Sequence, residues 1–552
     1  MRTEQIQLPF SQPIAEAYIK RSHPGIEGLF GSHPAEETHW HRRLNWLKAH
    51  ADKRVEPERL AEALLAYNKE MNDHPAVMTN IEAIRSGAPV VVTGQQAGLW
   101  TGPLLVIHKA VTAIAAAKDA ARLTGTNVVP VFWIAGEDHD WDEANHAYVR
   151  SGETGLARIS VPRPKGGRTS VSRTKLASSD LSEALARLSA SLPDSGFKRE
   201  LLETLEGFAA RCDDLSAWFA LTMGWLFGRH GLVLLDADHP DVRALEAPMF
   251  VQLLERNDEL EGAYMRAAGT LRELGFEPSA DVAEHCANLF LFAEEERTLL
   301  FKFSGQDGQA VPGGEFRNRK ESFRISRDEL MRIAEQEPQR LSNNVLTRPL
   351  MQDYVLPVLG AVLGPGEIAY WTLTGEAFRC LGMEMPLIIP RMSYTLVDGT
   401  TEKHMEKYGL SFDEVMHRYD AHRSRWLKER DELDIEGRFE EARKQFETMY
   451  GPVMDLSASL DKGLEALASN NLRRIQDQIS YLEKRTKEAH ARRFDAALRQ
   501  QDGVALALWP EGQPQERVLC MVDFWNRFGS VWLDQLLDAP YDRSGGHHLI
   551  YL

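Results

Sequence analysis

The chain is short of cysteine, and this shortage excludes several classes of protein. Its 552 residues include four cysteines, Cys212, Cys286, Cys380 and Cys520, which lie far apart. None of the spacings is typical of a zinc site or a redox motif. We therefore expect no disulfide framework and no zinc, and we expect a reducing, cytoplasmic location.

Long apolar runs and an excess of positive charge are also missing. No stretch is long enough to span a membrane, and residues 1–12 lack the pattern of a signal peptide, so neither a membrane partner nor secretion is expected. The chain has 64 Lys and Arg against 81 Asp and Glu, a net charge of −17. Because nucleic-acid binding needs concentrated positive charge, a nucleic-acid partner is not predicted.

The most informative segment is a predicted strand–helix–strand unit. A buried strand at Pro89–Thr93 enters a glycine-rich turn, a helix is predicted from about Pro103 to Lys118, and a second strand covers Val128–Ala135. Two parallel strands joined by a helix place both following loops at one edge of the sheet. In open α/β sheets, ligands bind at that edge.

The turn at Gly94–Pro103 has two interpretations. It is either a tight connection or a site for a nucleotide or another anion, bound by free N–H groups near the helix start. Its Gly-x3-Gly-x3-Gly spacing differs from the dinucleotide and P-loop motifs. The side-chain donors in the turn favour binding, whereas Lys109, nearly two helical turns further on, is expected to be a solvated surface residue. The candidate residues are Gly94, Gln95, Gln96, Gly98, Thr101 and Gly102.

Acidic side chains follow two of the predicted strands. The second strand ends in Glu137, Asp138, His139 and Asp140, and a later strand, Gly231–Asp236, is followed by Asp238. Burying such groups is costly without partners, so they are candidates to bind an amine, to hold a divalent metal or to act as a general base. The alternative is a solvated strand exit with capping acids.

Two further polar or aromatic positions lie later in the chain. Arg348 belongs to a polar set beside a predicted helix, and Tyr370 and Trp371 follow a Gly-Pro-Gly turn. The aromatic pair could stack on an adenine ring or fill the core, and the sequence does not decide between these roles.

The order of elements predicts the fold class and three regions. Strands alternating with helices over residues 1–398 indicate an α/β, doubly wound parallel sheet, with insertions at about 150–200 and 240–345. Residues 399–500 are charged and helical, and 501–552 are expected to return to the core. Within Leu456–Phe494, apolar residues at spacings of three and four suggest a coiled coil. We favour a helical hairpin arm used for dimerisation over an amphipathic helix packed on its own domain.

Several long motifs resemble one known family. They are Val92–Pro103, Val129–Asp140, Asn344–Tyr354 and Gly364–Trp371, and the likeness extends over the whole chain. They resemble the cysteine ligase family of bacillithiol biosynthesis. The resemblance implies a Rossmann-type core with connecting-peptide insertions and an α-helical coiled-coil domain that mediates dimerisation. It also implies addition of cysteine to glucosaminyl-malate, the last step of that pathway.

The implied core is similar to class I aminoacyl-tRNA synthetases, whose His-x-Gly-His motif stabilises phosphate during adenylation. The matching position here is Thr101-Gly102-Pro103, without the histidine pair, and no Lys-Met-Ser-Lys-Ser equivalent is found.

The resulting hypothesis is a ligase that activates cysteine with magnesium-ATP. Thr101 and Gly102, with the turn N–H groups, would hold phosphate, and Gln95 and Gln96 would orient cysteine or nucleotide. Asp138 or His139 would bind the cysteine ammonium or deprotonate the incoming amine. Two alternatives remain: a nucleotide-binding partner protein without ligase chemistry, and a metal-dependent hydrolase built on the two acidic strand ends.

Overall fold

The computed structural model describes residues 2–166, 168–293, 296–303, 314–320 and 322–552. The chain forms two compact units. The first contains the N-terminal part to Gly152, Leu156–Val397 and Gln513–Leu552; the second contains Glu153–Gly155 and Asp398–Gly512. The glycine-rich stretch at residues 304–315 lies mostly outside the described residues.

The strands are β1 (Arg2–Ile6), β2 (Val90–Gln95), β3 (Val129–Ile134), β4 (His146–Ser151), β5 (Gly155–Ser160), β6 (Val233–Asp236), β7 (Cys286–Ala293), β8 (Glu296–Phe303), β9 (Glu315–Arg317), β10 (Arg324–Ser326), β11 (Leu341–Asn343), β12 (Val358–Leu363), β13 (Leu387–Pro390), β14 (Ser393–Val397) and β15 (His547–Tyr551).

The α-helices up to the end of the core sheet are α1 (Pro13–Ile19), α2 (Pro24–Phe30), α3 (Glu37–Ala49), α4 (Pro57–Met71), α5 (Pro75–Arg85), α6 (Leu105–Thr124), α7 (Trp141–Ala144), α8 (Ser178–Ser191), α9 (Lys198–Ala209), α10 (Leu215–Phe227), α11 (Pro240–Glu255), α12 (Asn257–Glu273), α13 (Arg327–Gln336), α14 (Arg348–Val355), α15 (Pro365–Trp371) and α16 (Gly375–Cys380).

The later helices are α17 (Gly399–Tyr408), α18 (Phe412–His417), α19 (Tyr419–Lys428), α20 (Ile435–Leu460), α21 (Gly463–Arg492), α22 (Asp495–Leu508), α23 (Gln515–Val518), α24 (Met521–Phe528) and α25 (Val531–Leu537). Short 3-10 helices lie at Ala51–Lys53, Leu99–Thr101, Gly228–His230, Pro338–Arg340 and Pro510–Gly512.

The core of the first unit is a parallel five-stranded sheet in the order β13-β12-β2-β3-β6. Val90, Val91 and Val92 of the central strand are fully buried, as expected for a strand covered by helices on both faces. The doubly wound α/β fold class predicted from the sequence is therefore confirmed. In the sheet, β3 lies on one side of β2, and β12, which comes later in the sequence, lies on the other side. The strand order therefore reverses beside β2.

The helix after β2 begins at Leu105 rather than at Pro103, and it continues past Lys118 to Thr124. The turn before it delays the start, because Trp100, Thr101 and Gly102 all have positive φ. Residues in that conformation cannot continue into a right-handed helix. The helix ends at Gly125, whose left-handed conformation caps it.

Two other sheets complete most of the first unit. An antiparallel sheet in the order β10-β9-β8-β7-β11 lies between β6 and β12 in the sequence, and β7 and β8 form a hairpin within it. The C-terminal strand β15 lies between β1, to which it is antiparallel, and β14, to which it is parallel.

The second unit is helical, and α20 and α21 form a hairpin. Arg443 on α20 pairs with Glu483 on α21, and Asn471 donates to the hydroxyl oxygen of Tyr450. The turn between the helices, at Asp461 and Lys462, falls inside the predicted Leu456–Phe494 stretch, which is therefore divided between two helices. Across the described parts of the chain, no helix combines the length and the apolar character needed to cross a membrane.

Candidate functional site

A cleft of about 600 Å³ opens at the carboxyl edge of the parallel sheet, where the strand order reverses. This is the position at which ligands bind in open α/β sheets. Residues that follow β2, β3 and β12 converge there. Among the residues lining the cleft, the charged ones are Lys109, Asp138, Glu143, Asp281, Arg348, Glu367, Arg391 and Arg517.

Lys109 lies at the floor of this cleft and is only 2% exposed, which corrects the expectation that it is a solvated surface residue. Its Nζ donates to the carbonyl oxygen of Gly94 at 2.7 Å and to Oε1 of Gln95 at 2.8 Å, and it lies 2.6 Å from Oε2 of Glu367. Burial lowers the pKa of Lys109, and the Glu367 carboxylate opposes that effect. A lysine inside the largely apolar stretch at residues 104–117 was the sequence signal for this role.

Glu367 is fixed by the start of α15. Its Oε2 accepts from the backbone N–H of Gly364, the residue before the helix, at 2.8 Å. Capping residues at a helix start have a defined geometry. Lys109 is therefore held between the ends of β2 and β12, which come from distant parts of the chain.

Asp138 is the acidic residue of the β3 loop that reaches the cleft. Its Oδ2 accepts from Nε2 of Gln96 at 2.6 Å, and its Oδ1 accepts from the N–H of His139 at 2.7 Å. Burial alone would raise the pKa of Asp138, but the guanidinium groups of Arg348 and Arg297 and these hydrogen bonds hold it below its ordinary value. Asp138 is therefore a fixed negative charge in the cleft.

The neighbours of Asp138 occupy different places. Glu137 is 1% exposed and lies 3.5 Å from Nε of Arg348, so it supports that arginine from behind. Nδ1 of His139 accepts from Arg297 at 2.8 Å, and burial, followed by the Arg297 charge, lowers the pKa of His139. Asp140 caps α7 by accepting from the N–H of Glu143. None of these three residues lines the described part of the cleft.

A second, smaller cavity of about 250 Å³ lies beside the cleft. Gln95, Gln96, Leu105, Glu143 and Arg517 line both spaces. Gly98 and Thr101, predicted as ligand-binding residues, line only the smaller cavity, together with His146 and Tyr148. The two predicted glutamines thus form part of the boundary between the spaces.

Several N–H groups of the glycine-rich turn and of the residue after it already have partners within the protein. Those of Gly98, Thr101 and Gly102 donate to Gln96, Gly98 and Leu99 carbonyl oxygens. The N–H of Leu104 donates to Leu519 in the C-terminal segment at 2.9 Å, beside a bridge between Pro103 and Cys520. These four N–H groups are therefore engaged within the protein, three inside the turn and that of Leu104 by the C-terminal segment. Phosphate binding by the turn stays a prediction.

The same C-terminal segment supplies a buried carboxylate that the sequence did not reveal. Glu516 accepts from both terminal nitrogens of Arg391, at 2.6 and 2.7 Å, and contacts Nδ1 of His108 at 2.6 Å. Burial would raise the pKa of Glu516, but Arg391 and His108 hold it well below its ordinary value. Because Arg391 lines the cleft, Glu516 fixes the position of one of the cleft cations.

The second acidic strand end forms a closed network away from the cleft. Asp238 accepts from Arg173, Ser170 and Ser172, and Asp236 accepts from Ser216. Neither carboxylate lines the two described cavities. Both carboxylates are held by side chains of the same unit and are part of the structure around β6 rather than of the cleft.

Arg348, Tyr370 and Trp371 do line the cleft. Arg348 lies 3.9 Å from Oδ2 of Asp138, so its charge faces the predicted acidic loop. Trp371 is nearly buried and its ring lies 6.3 Å from that of Phe378, whereas Tyr370 is half-buried. Trp371 therefore contributes mainly to the core, and Tyr370 offers more of its surface to a ligand.

Comparisons with known proteins agree with the fold. Residues 1–392 match the family described as the N-terminal Rossmann-like domain of bacillithiol biosynthesis BshC, and residues 394–552 match its C-terminal coiled-coil domain. The chain belongs to the BshC family. Each part of this BshC-family chain is thus matched, including the segment that carries Glu516.

Relatives in the BshC family cover the full length of the chain. Proteins named "Putative cysteine ligase BshC" from Geobacillus sp. (strain WCH70) and Geobacillus thermodenitrificans (strain NG80-2) are each 34% identical over 558 residues, covering 100% of both chains. One from Bacillus cereus (strain AH187) is 33% identical over 497 residues, covering 89% of each chain.

Within the described residues, no group of three or more His, Cys, Asp and Glu side chains is placed to hold a metal ion.

Proposed function

We propose that this chain is a carbon–nitrogen bond-forming ligase that joins cysteine to glucosaminyl-malate, using magnesium-ATP. Membership in the BshC family and the name of its relatives support the class of reaction. The observation that carries the proposal is the cleft at the reversal of strand order, where cations and carboxylates from distant segments converge. No comparable arrangement of metal ligands favours the hydrolase alternative among the described residues.

The charge pattern of the cleft suits glucosaminyl-malate, which carries an amine and two carboxylates. Arg348 is a partly buried cation with only long contacts to carboxylates, so its N–H groups would bind a substrate carboxylate. Lys109 and Arg391 are held by Glu367 and Glu516 and would add positive charge to the cleft. Arginine is well suited to this because its planar group binds carboxylates with two hydrogen bonds. Asp138, held in its charged form, would face the amine.

The reaction needs activation because a free carboxylate does not form an amide with an amine in water. A cysteine carboxylate oxygen would attack a phosphorus of ATP, releasing pyrophosphate from an acyl-adenylate route or ADP from an acyl-phosphate route. The amine nitrogen would then attack the carbonyl carbon, releasing AMP or phosphate. Asp138 would stabilise the positive charge that develops on the nitrogen before its proton is lost.

The long arm carries the proposed dimer contact. Leu456, Leu460, Leu467 and Leu482 of α20 and α21 are exposed, and an apolar surface of this kind marks an interaction site. We propose that two copies of the chain meet through this hairpin.

The four cysteines are free, which supports the proposed cytoplasmic location.

Turnover with purified protein tests the proposal. Cysteine, glucosaminyl-malate and magnesium-ATP are supplied together and then with each one omitted, and the product is followed by mass spectrometry. We expect bacillithiol only in the complete mixture, with AMP or ADP in equal amount. Nucleotide binding without product under every combination would instead support the non-catalytic partner protein.

A further inference from the structure

The smaller cavity beside the cleft has features of a ligand site, and the proposed function gives it no role. Its volume of about 250 Å³ lies below the range of about 300–1,000 Å³ usual for drug-sized ligands, and it is more suitable for a molecule the size of an amino acid. Pro103, Leu105, Val106, Ala144, Ala147 and Val518 supply apolar wall. The lining also includes Gly98 and eight residues with polar side chains, which are Gln95, Gln96, Thr101, Glu143, His146, Tyr148, Gln513 and Arg517.

Three polar groups at the boundary with the cleft carry the argument. Oε1 of Gln96 is buried and has no hydrogen-bond partner, although Nε2 of the same side chain is held by Asp138. Arg517 has no ion-pair partner among the residues that the structure describes. Glu143 receives only a long contact of 3.4 Å from Nε2 of Gln95. A buried acceptor without a partner is costly, so a bound donor would relieve it.

We propose that this cavity, lined by Gln96, Glu143 and Arg517, binds the cysteine substrate as a zwitterion. This assignment rests on the proposed ligase function. Glu143 and Oε1 of Gln96 accept hydrogen bonds from the ammonium group, and Arg517 donates to the carboxylate. The apolar wall surrounds the thiol and favours it over the hydroxyl of serine.

The location also explains how two substrates meet. Gln95, Gln96, Glu143 and Arg517 face both the cavity and the cleft. A cysteine whose carboxylate lies on Arg517 therefore presents that carboxylate to the cleft, where the phosphate and the amine arrive. Holding reacting groups in this way removes much of the entropic cost of bringing them together.

Direct binding measurements with analogues test the assignment. Calorimetry on the full chain compares cysteine with cysteamine, which lacks the carboxylate, and with 3-mercaptopropionate, which lacks the ammonium. We expect Glu143→Gln to weaken the binding of cysteine by about tenfold or more and to leave the binding of 3-mercaptopropionate unchanged. Arg517→Ala should weaken the binding of cysteine similarly and leave the binding of cysteamine unchanged. Arg517→Lys should restore part of the affinity for cysteine.

The neighbouring exposed residue Asp142 provides a matched control, because it lines neither cavity. Asp142→Asn should bind cysteine like the wild type. Three results would overturn the assignment. The first is that either variant weakens the binding of all three ligands equally, and the second is that neither variant weakens the binding of cysteine. The third is that the wild type does not bind cysteine with the other substrates present. Analogue-selective cysteine binding without turnover would support the cavity and reject the ligase.

Discussion

At the scale of single residues, Asp138 and Lys109 are held in the cleft by side chains from distant parts of the chain, among them Arg348 and Glu367. A run of acids directly after a buried strand is unusual enough to be recognised. Whether each carboxylate faces the cleft depends on arginines supplied by distant segments, such as Arg297 and Arg348. The prediction that Lys109 is a solvated surface residue was wrong for the same reason, because its partner Glu367 lies far away in the chain.

Replacing Asp138 by Asn tests its charge with little change in shape. Asn keeps an oxygen that can accept from Gln96, so folding should be retained, whereas the negative charge in the cleft is lost. We expect turnover to fall by roughly 10²-fold or more, the usual range for a positioned acid–base or electrostatic group. Steady-state kinetics measures the loss, and Asp142→Asn controls for a charge change nearby. Wild-type turnover in Asp138→Asn would remove Asp138 from the reaction.

Asp236 predicts a specific dependence of stability on pH. Burial raises the pKa of Asp236 to about 7 in the folded protein, against the hydrogen bonds from Ser216 and the Asp238 N–H. Its contribution to stability is therefore complete below its unfolded-state pKa and is lost as the pH rises from about 4 to about 7. Thermal midpoints between pH 4 and 8 should fall less in Asp236→Asn than in the wild type. Parallel curves for the two proteins would contradict this.

At the scale of elements, the strands of the core sheet were predictable because each is a short apolar run. The start of α6 was not, because it depends on positive φ angles at Trp100 and Thr101 and on the docking of Leu519 from the C-terminal segment. The same long-range docking brings Glu516 to Arg391. Local pattern alone contains no information about such a contact.

Gly94 is required where β2 approaches β3. A Cβ at this position would lie 2.6 Å from the carbonyl oxygen of Trp133, so one of the two strands must move. We expect Gly94→Ala to destabilise the fold by about 1–3 kcal/mol, as overpacking commonly does. The thermal midpoint measures this. Gly366→Ala is the control, because its Cβ meets no atom within 4 Å and Ala favours the helix. Equal midpoints for both variants would contradict the steric argument.

At the scale of the whole molecule, composition and element order predicted a doubly wound α/β part followed by a helical part, because their patterns differ strongly. The coiled-coil hairpin was predictable from its apolar spacing, but its turn at Asp461 and Lys462 carries no strong breaker beyond the neighbouring Gly463. What covers its exposed leucines is a property of the assembly, which periodicity does not determine.

The arm therefore makes a prediction about the oligomer. Leu467 and Leu482 are 64% and 58% exposed, so Asp at either position should not disturb the interior of the hairpin. If these leucines form the dimer contact, burying the new charge is costly, and Leu467→Asp and Leu482→Asp should give monomers by light scattering. Asn470→Asp, which adds a charge at another exposed position of the arm, should remain dimeric. Dimers in both leucine variants would contradict the proposed contact.

The central claim is that this chain activates the cysteine carboxylate with ATP. The most direct measurement supplies cysteine with both carboxylate oxygens labelled with ¹⁸O and analyses every product by mass spectrometry. We expect one labelled oxygen to be retained in the amide of bacillithiol and one to be transferred to AMP or to phosphate, in equal amount. Bacillithiol formed without label in any phosphate-containing product, or no bacillithiol from the complete mixture, would contradict it.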